Sequence, residues 1–325
     1  MADDSREQSP ARVRELGVVV GSLPTGPLNA ITDVPGVRVG HTTLTGDGLN
    51  TGVTAIVPDG WESALPAAVA VGNGYGKLVG STQVDEVGVI ETPILLTGTL
   101  STFRVADALI TWILDRNPSA TSLNPIVGET NDGHLSDIRR RPITPAHVHD
   151  ALDTASADLP AEGCCGAGTG TAALGFKAGI GTASRALDQG TVGALVQANF
   201  SGLLTVLGRP IPAEPIDADG NSCMIVVATD LPLDSRQLSR LARRAIFAMA
   251  RVGSDYAPGS GDYAIAFTTS RTAGYADRDL RAPFQAVMES VEEALLNSLT
   301  AAETTTGFNG HTAYAVPHDR IRPPS

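Results

Sequence analysis

The sequence is short of basic residues, cysteine, aromatics and long apolar runs, and each shortage removes a class of function. Against 35 Asp and Glu stand 23 Lys and Arg, a formal net charge of −12. A nucleic-acid-binding surface normally shows a basic surplus, so no nucleic-acid partner is expected. An acidic balance also disfavours anionic membrane surfaces. Three cysteines, two of them adjacent (Cys164 and Cys165), make neither a disulfide framework nor a zinc site. No apolar run approaches the roughly 18 residues a membrane helix needs. The first ten residues are polar and lack the basic start and apolar centre of a signal peptide. We expect a disordered tail there, and a cytoplasmic protein.

What is present is enough for a substantial core: 325 residues, 42% of them hydrophobic. Short β-branched runs predict strands at 17–20, 36–39, 53–57, 67–71, 191–198, 222–229 and 263–268. Helical periodicity predicts helices at 102–114, 234–251 and 283–299. Thr144-Pro145 reads as an N-cap with proline at the first helical position. Strands and helices do not alternate regularly, which favours two sheets with helices packed outside them. One stretch resembles a linker. Residues 208–221 hold three prolines and three acidic residues and read as exposed and cleavable.

Several tempting motifs fail on inspection. The glycine-rich stretch 163–181 lacks the Gly-Lys-Ser/Thr of a P-loop, because Lys177 follows Phe176. It also lacks a well-placed acidic residue after a second strand, so close backbone packing explains its glycines better than a nucleotide. The six histidines form no metal-ligand spacing, and no metal or cofactor is expected. The lipase elbow Gly-x-Ser-x-Gly is absent around Ser260.

The most informative place is Asp219-Gly220-Asn221-Ser222, which leads into the apolar run Cys223-Met224-Ile225-Val226-Val227. A hydroxyl residue opens a buried strand directly after an acidic loop. An N-terminal nucleophile hydrolase requires this layout. The Ser222 hydroxyl can attack the Asn221 carbonyl, and hydrolysis of the resulting ester frees Ser222 as a new N-terminus. Its α-amine, with a reference pKa near 8, can then act as a base. Taken alone, Asn-Ser reads more readily as a polar turn before a strand.

The wider sequence resembles the L-aminopeptidase/D-esterase and β-peptidyl aminopeptidase family of self-processing serine hydrolases. The resemblance runs from about Gly26 to Ala315. It rests on the stretch from Gly26-Pro27-Leu28-Asn29 to Val39-Gly40-His41, and on Thr51-Gly52-Val53-Thr54 and Gly128-Glu129-Thr130-Asn131-Asp132-Gly133. It continues through Gly175-Phe176-Lys177-Ala178-Gly179-Ile180-Gly181, Val196-Gln197-Ala198-Asn199-Phe200, Gly220-Asn221-Ser222 and Gly259-Ser260-Gly261-Asp262.

The resemblance implies an α+β protein, a four-layer αββα sandwich of the N-terminal-nucleophile-hydrolase kind. It implies autocleavage between Asn221 and Ser222, giving an α-subunit 1–221 and a β-subunit 222–325. It also implies a homo-oligomer of such heterodimers, commonly a tetramer of them. Ser222 matches the nucleophile. Ser260 and Asp262 match a pair expected to orient its amine and hydroxyl, where the family often carries Ser-x-Glu. Asn199 matches an oxyanion donor, and Glu129 the carboxylate that meets the substrate amine. Asn131 falls where some members carry an aromatic residue that shapes the pocket. Cys223 is unusual beside the nucleophile and is expected to point to the opposite face of the strand.

The expected activity is removal of N-terminal aminoacyl groups from short peptides, amides or esters with a free amine. Two other readings are an acyltransferase of the ornithine-acetyltransferase kind and an unprocessed, non-catalytic protein of the same fold. Serine rather than threonine at position 222 argues against the first, and the intact set Ser222, Ser260, Asp262 and Asn199 against the second.

Overall fold

The computed structural model describes residues 8–213, 216 and 221–323. Strands β1 (Val37–Gly46), β2 (Leu49–Pro58), β3 (Leu65–Gly74) and the short β4 (Leu78–Val79) come first. Helix α1 (Ser81–Val87), the short β5 (Val89–Ile90), β6 (Ile94–Gly98), α2 (Thr102–Arg116), β7 (Ile126–Thr130) and α3 (Pro145–Asp153) follow. The remainder is β8 (Ile180–Leu187), β9 (Gly190–Asn199), β10 (Asn221–Thr229), α4 (Ser235–Met249), β11 (Ser260–Thr268) and α5 (Arg281–Thr300).

The strands form two principal sheets, ordered β1-β2-β6-β7-β4 and β8-β9-β10-β11-β3-β5. Side-chain alternation stacks them. On β10, Met224, Val226 and Ala228 point at the first sheet and meet Ile56, Leu96 and Ile126 there. Cys223, Ile225 and Val227 point the other way, into a core shared with Leu238, Leu241, Val291 and Leu295 of α4 and α5. On β2, Val53, Ala55 and Val57 leave the inter-sheet core and pack against α2 and α3. The layers are therefore helices, sheet, sheet, helices, as the αββα expectation has it. Burial on both faces explains why β10 reads as a continuous apolar run rather than an alternating one.

Most elements lie where periodicity puts them, and the exceptions have physical causes. The expected strand at 17–20 is not a strand. Val18 and Val20 are buried and Val19 exposed, as alternation demands, but no ladder partner reaches them. The Val20 carbonyl instead accepts from the Arg185 guanidinium at 2.8 Å. The linker expected at 208–221 begins as structure: Arg209–Pro210 pairs with Thr205–Val206, and Ile211 is buried. Its residues 214, 215 and 217–220, including Gly220 of the processing motif, lie outside the described residues. The glycine-rich stretch runs into β8, which the sequence reading misses. Glycine at 181 is what lets α5 lie against it, since a Cβ there would sit 1.9 Å from the Ala294 carbonyl oxygen.

α5 is buried almost all round, and its polar side chains carry a closed ion network. The fully buried Arg185 donates to Glu289 at 3.0 Å and to Glu293 at 2.6 Å. Glu293 also takes Arg14 at 2.6 Å and the Asn29 amide at 2.6 Å. Burial works against ionisation of Glu293, but these partners hold its carboxyl below the ordinary range. Removing the cation leaves two buried carboxylates under-compensated. Arg185→Leu should therefore lower stability by about 3–5 kcal/mol, read from urea unfolding. A loss below about 1 kcal/mol would mean the network is not holding α5 to β8.

Candidate active site

β10 is a central strand, antiparallel to β9 and parallel to β11. Its second residue, Ser222, is 4% exposed and stands directly opposite Asn199 on β9 and Gly261 on β11. By alternation with Met224, the Ser222 side chain faces the gap between the sheets. Asn199 follows Gln197, whose amide donates to the Thr97 carbonyl and Thr130 hydroxyl of the first sheet, so Asn199 faces the same gap. Opposed side chains on one face have their Cβ atoms about 5 Å apart. The Asn199 amide oxygen accepts the Ala172 N–H at 3.1 Å, which fixes the orientation of the amide.

The Ser222 hydroxyl donates to the Asn221 carbonyl oxygen at 2.5 Å, across the bond the sequence reading marks for cleavage. The Asn221 amide donates to Ser201 Oγ at 3.2 Å. Both Asn221 and Asn199 line a cleft of about 270 Å³, with His134, Leu174, Phe200 and Leu203.

Ser260 and Asp262 lie beside Ser222 in sequence register but on the other face. Ser260 Oγ donates to Asp262 Oδ1 at 2.7 Å, and Asn73 Nδ2 to Asp262 Oδ2 at 3.1 Å. Burial pushes the Asp262 carboxyl above its ordinary range, while these bonds and the Cys223 N–H pull it back. The pair thus grips the backbone one residue beyond Ser222 and does not touch its hydroxyl. Cys223 shares that helix-facing side, fully buried, and burial drives its thiol pKa far up, which makes it a packing residue.

Glu129 ends up near Ser222 through a segment the sequence reading passes over. A bulge at Gly72, where the β3–β11 register shifts between Asp262 and Tyr263, re-aims the chain. Gly76 then passes against Gly261: a Cβ on Gly261 would lie 2.6 Å from Gly76 Cα and 3.2 Å from Ser222 Oγ. A Cβ on Gly76 would in turn lie 3.2 Å from Glu129 Oε1. Glu129 is buried, and its Oε1 accepts Lys77 N–H at 2.9 Å and Lys77 Nζ at 3.4 Å. Its Oε2 has no partner among the described residues. The available signal was the run Gly72-Asn73-Gly74-Tyr75-Gly76-Lys77, with glycine at every second position. Asn131 is half-buried in the loop after β7, its amide oxygen accepting the Gly133 N–H at 2.9 Å. Among the described residues, no three His, Cys, Asp or Glu side chains come together as a metal site.

The model of peptidase family S58 matches residues 29–313. A β-peptidyl aminopeptidase of Sphingosinicella xenopeptidilytica is 41% identical, over 95% of this chain and 90% of that one. A solved β-aminopeptidase of a Burkholderia species superposes with TM-score 0.89 at 37% identity, covering 96% of this chain and 97% of that one. The L-aminopeptidase D-Ala-esterase/amidase of Ochrobactrum anthropi superposes with TM-score 0.86 at 37% identity, covering 95% and 96%. It is described as a prototype serine aminopeptidase and a variant of the N-terminal-nucleophile hydrolase fold.

The Gly76–Gly261 contact is backbone against backbone and cannot relax by a rotamer change. Gly261→Ala should push Ser222 and the Glu129 side of the site apart. Activity should fall at least about tenfold, which is only 1.4 kcal/mol in the barrier, with cooperative unfolding retained. Unchanged kcat in a folded variant would show that this spacing is not part of the site.

Proposed function

The chain belongs to peptidase family S58 and is a serine aminopeptidase of the N-terminal-nucleophile fold, and from that premise we propose that Ser222 is its nucleophile, exposed by self-cleavage after Asn221. The observation that carries this is Ser222 itself. It is a buried hydroxyl at the start of a central strand, opposite Asn199 and bonded to the carbonyl of the residue before it.

In self-cleavage Ser222 Oγ adds to the Asn221 carbonyl carbon, the C–N bond breaks, and the chain continues as an ester. Water then releases the Asn221 carboxylate and leaves Ser222 with a free α-amine. In turnover that amine takes the hydroxyl proton as Oγ attacks the substrate carbonyl, and returns it to the leaving amine. The Asn199 NH2 donates to the oxygen that becomes negative, a contribution of about 3–4 kcal/mol where such donors have been removed. Asp262 and Ser260, fixed one residue along from the new N-terminus, orient the α-amine. Glu129 receives the ammonium of the substrate, and Asn131 borders that subsite.

The substrates are short peptides, amides or esters with a free amine. The mature form is a heterodimer of 1–221 and 222–325, assembled further into a homo-oligomer of heterodimers, a tetramer of them by resemblance. Among the described residues no helix is long and apolar enough to cross a membrane.

The processing test is intact mass under denaturing conditions, with N-terminal sequencing. A fragment beginning Ser-Cys-Met-Ile is expected, and Ser222→Ala should remain one chain without activity. A different new N-terminus would remove Ser222 from the mechanism. The amine test compares an aminoacyl p-nitroanilide with its N-acetyl form. The wild type should prefer the free amine strongly, since a blocked amine leaves a buried carboxylate uncompensated. Glu129→Gln should lose most of that preference, mainly through slower turnover of the free-amine substrate. Equal rates on both substrates by the wild type would take Glu129 out of the site.

A further inference from the structure

Glu129 and Asp132 stand three residues apart at the end of β7, and both are almost wholly buried, at 2% and 1% exposure. Their surroundings do not balance their charge. Asp132 has no well-formed hydrogen bond to either oxygen, the Thr51 hydroxyl being the side chain that reaches it, and only one oxygen of Glu129 has a partner among the described residues. The one ammonium bonded there is that of Lys77, which reaches Glu129 alone, is 41% exposed and is shared with the Thr99 hydroxyl at 2.9 Å. Two buried carboxylates therefore lie close enough to repel one another, and the one cation at them is held loosely and by Glu129 alone.

No other packed element presents Asp132 with a charge. β2 offers Thr51, and Gly98 at the end of β6 leaves no room, since a Cβ there would lie 2.7 Å from the carboxylate. Ser101, Ser136, Ile138 and Pro142 close the small space beside it. Arg141 turns outward to the Leu100 carbonyl, at 3.2 Å. On the same loop, His134 stacks on His311. Lys177, behind Gly170, is held by the Gly168 and Ala178 carbonyls. From β11 only Tyr263 approaches the pair, accepting the Gly76 N–H beside Glu129.

A buried carboxylate without a partner is costly, and a proton or a second cation removes the cost. We propose that Asp132 is a positioning residue for the substrate amine: it carries a proton while the site is empty and releases that proton to solvent when an ammonium group binds beside Glu129. This rests on reading Glu129 as the amine acceptor. The exchange balances, one cation arriving as R–NH3⁺ and one leaving as H⁺. The electrostatics agree: burial pushes the Asp132 carboxyl up to about 7, Thr51 pulls it back only in part, and Glu129 adds to the rise. An ammonium nearby favours the ionised form. Binding of the charged amine should therefore strengthen as pH rises towards about 7 and then level off.

The test is calorimetric titration of the mature enzyme with a non-hydrolysable primary amino alcohol, in two buffers of different ionisation heat. Wild type should release up to one proton at about pH 6, and its Kd should tighten by up to about tenfold per pH unit between about pH 5 and 7. Asp132→Asn should bind the amine with no proton release and a flat pH profile over that range. Release that persists in Asp132→Asn, or no release in wild type, overturns the inference alone. Equal binding of the N-acetylated alcohol overturns the amine-site reading and this inference with it. Should the variant not fold, difference infrared spectra of wild type decide. A protonated-carboxyl band at about pH 6 that vanishes on adding the amine supports the exchange, and absence of the band from the empty enzyme overturns it.

Discussion

The site depends on the register in which β10 lies between β9 and β11. That register sets Ser222 opposite Asn199 on one side and Gly261 on the other. A slip of one residue would turn every β10 side chain to the opposite face. Ser222 would then point at α4 and α5, and the Cys223 thiol would enter the gap between the sheets. Packing forbids the slip. Met224 and Val226 are fitted to the first sheet and Ile225 and Val227 to the helices, all of them fully buried. The position of Ser222 is therefore a consequence of core packing several residues along the strand.

The two buried polar clusters differ in a way that separates structure from function. Around Arg185 every charge has its counterpart: two glutamates, a second arginine, an asparagine amide and backbone groups close the network. Such a cluster holds elements together and asks for nothing from solvent. Around Glu129 and Asp132 the balance is open by one charge, with three carboxylate oxygens lacking a well-formed hydrogen bond among the described residues. Low-dielectric surroundings make that imbalance expensive, so the protein gains most there when a cation arrives.

The layers are legible in the sequence because they follow from local pattern, and so is a hydroxyl residue, Ser222, at the start of a buried strand. β2, β9, β10 and β11 announce themselves as β-branched runs, and α2, α4 and α5 by their apolar faces. β6 and β7 were missed because each is five residues long and runs straight into polar residues. β8 was missed because Gly-Thr-Ala-Ser-Arg has little apolar bulk, and its burial depends on α5 approaching a glycine backbone. At the site, Ser222, Asn199, Ser260, Asp262 and Glu129 stood out by resemblance to a family. The separation of Ser222 from the Ser260–Asp262 pair by the thickness of the sheet did not. It arises from parallel pairing between strands far apart in sequence, which no local pattern encodes. The approach of Gly76 to Gly261 depends in addition on a bulge.

Placing the pair and the hydroxyl on opposite faces of one sheet also suits the proposed reading, in which Ser222 serves first within a chain and then at its end. A strand freed at its first residue would fray if that residue relied on its covalent link for position. Ser222 does not. β10 pairs with a neighbour on each side from its first residues, and the Asp262 carboxylate takes the Cys223 N–H directly after the junction. Cutting before Ser222 on the proposed reading removes one peptide bond and leaves the ladder beyond it intact. The new α-amine then emerges in the plane of the sheet, with the hydroxyl still facing Asn199 between the sheets and the carboxylate on the helix side. On that reading the proposed base, nucleophile and oxyanion donor are held by backbone pairing formed before the cut, so cleavage would expose the site without having to build it.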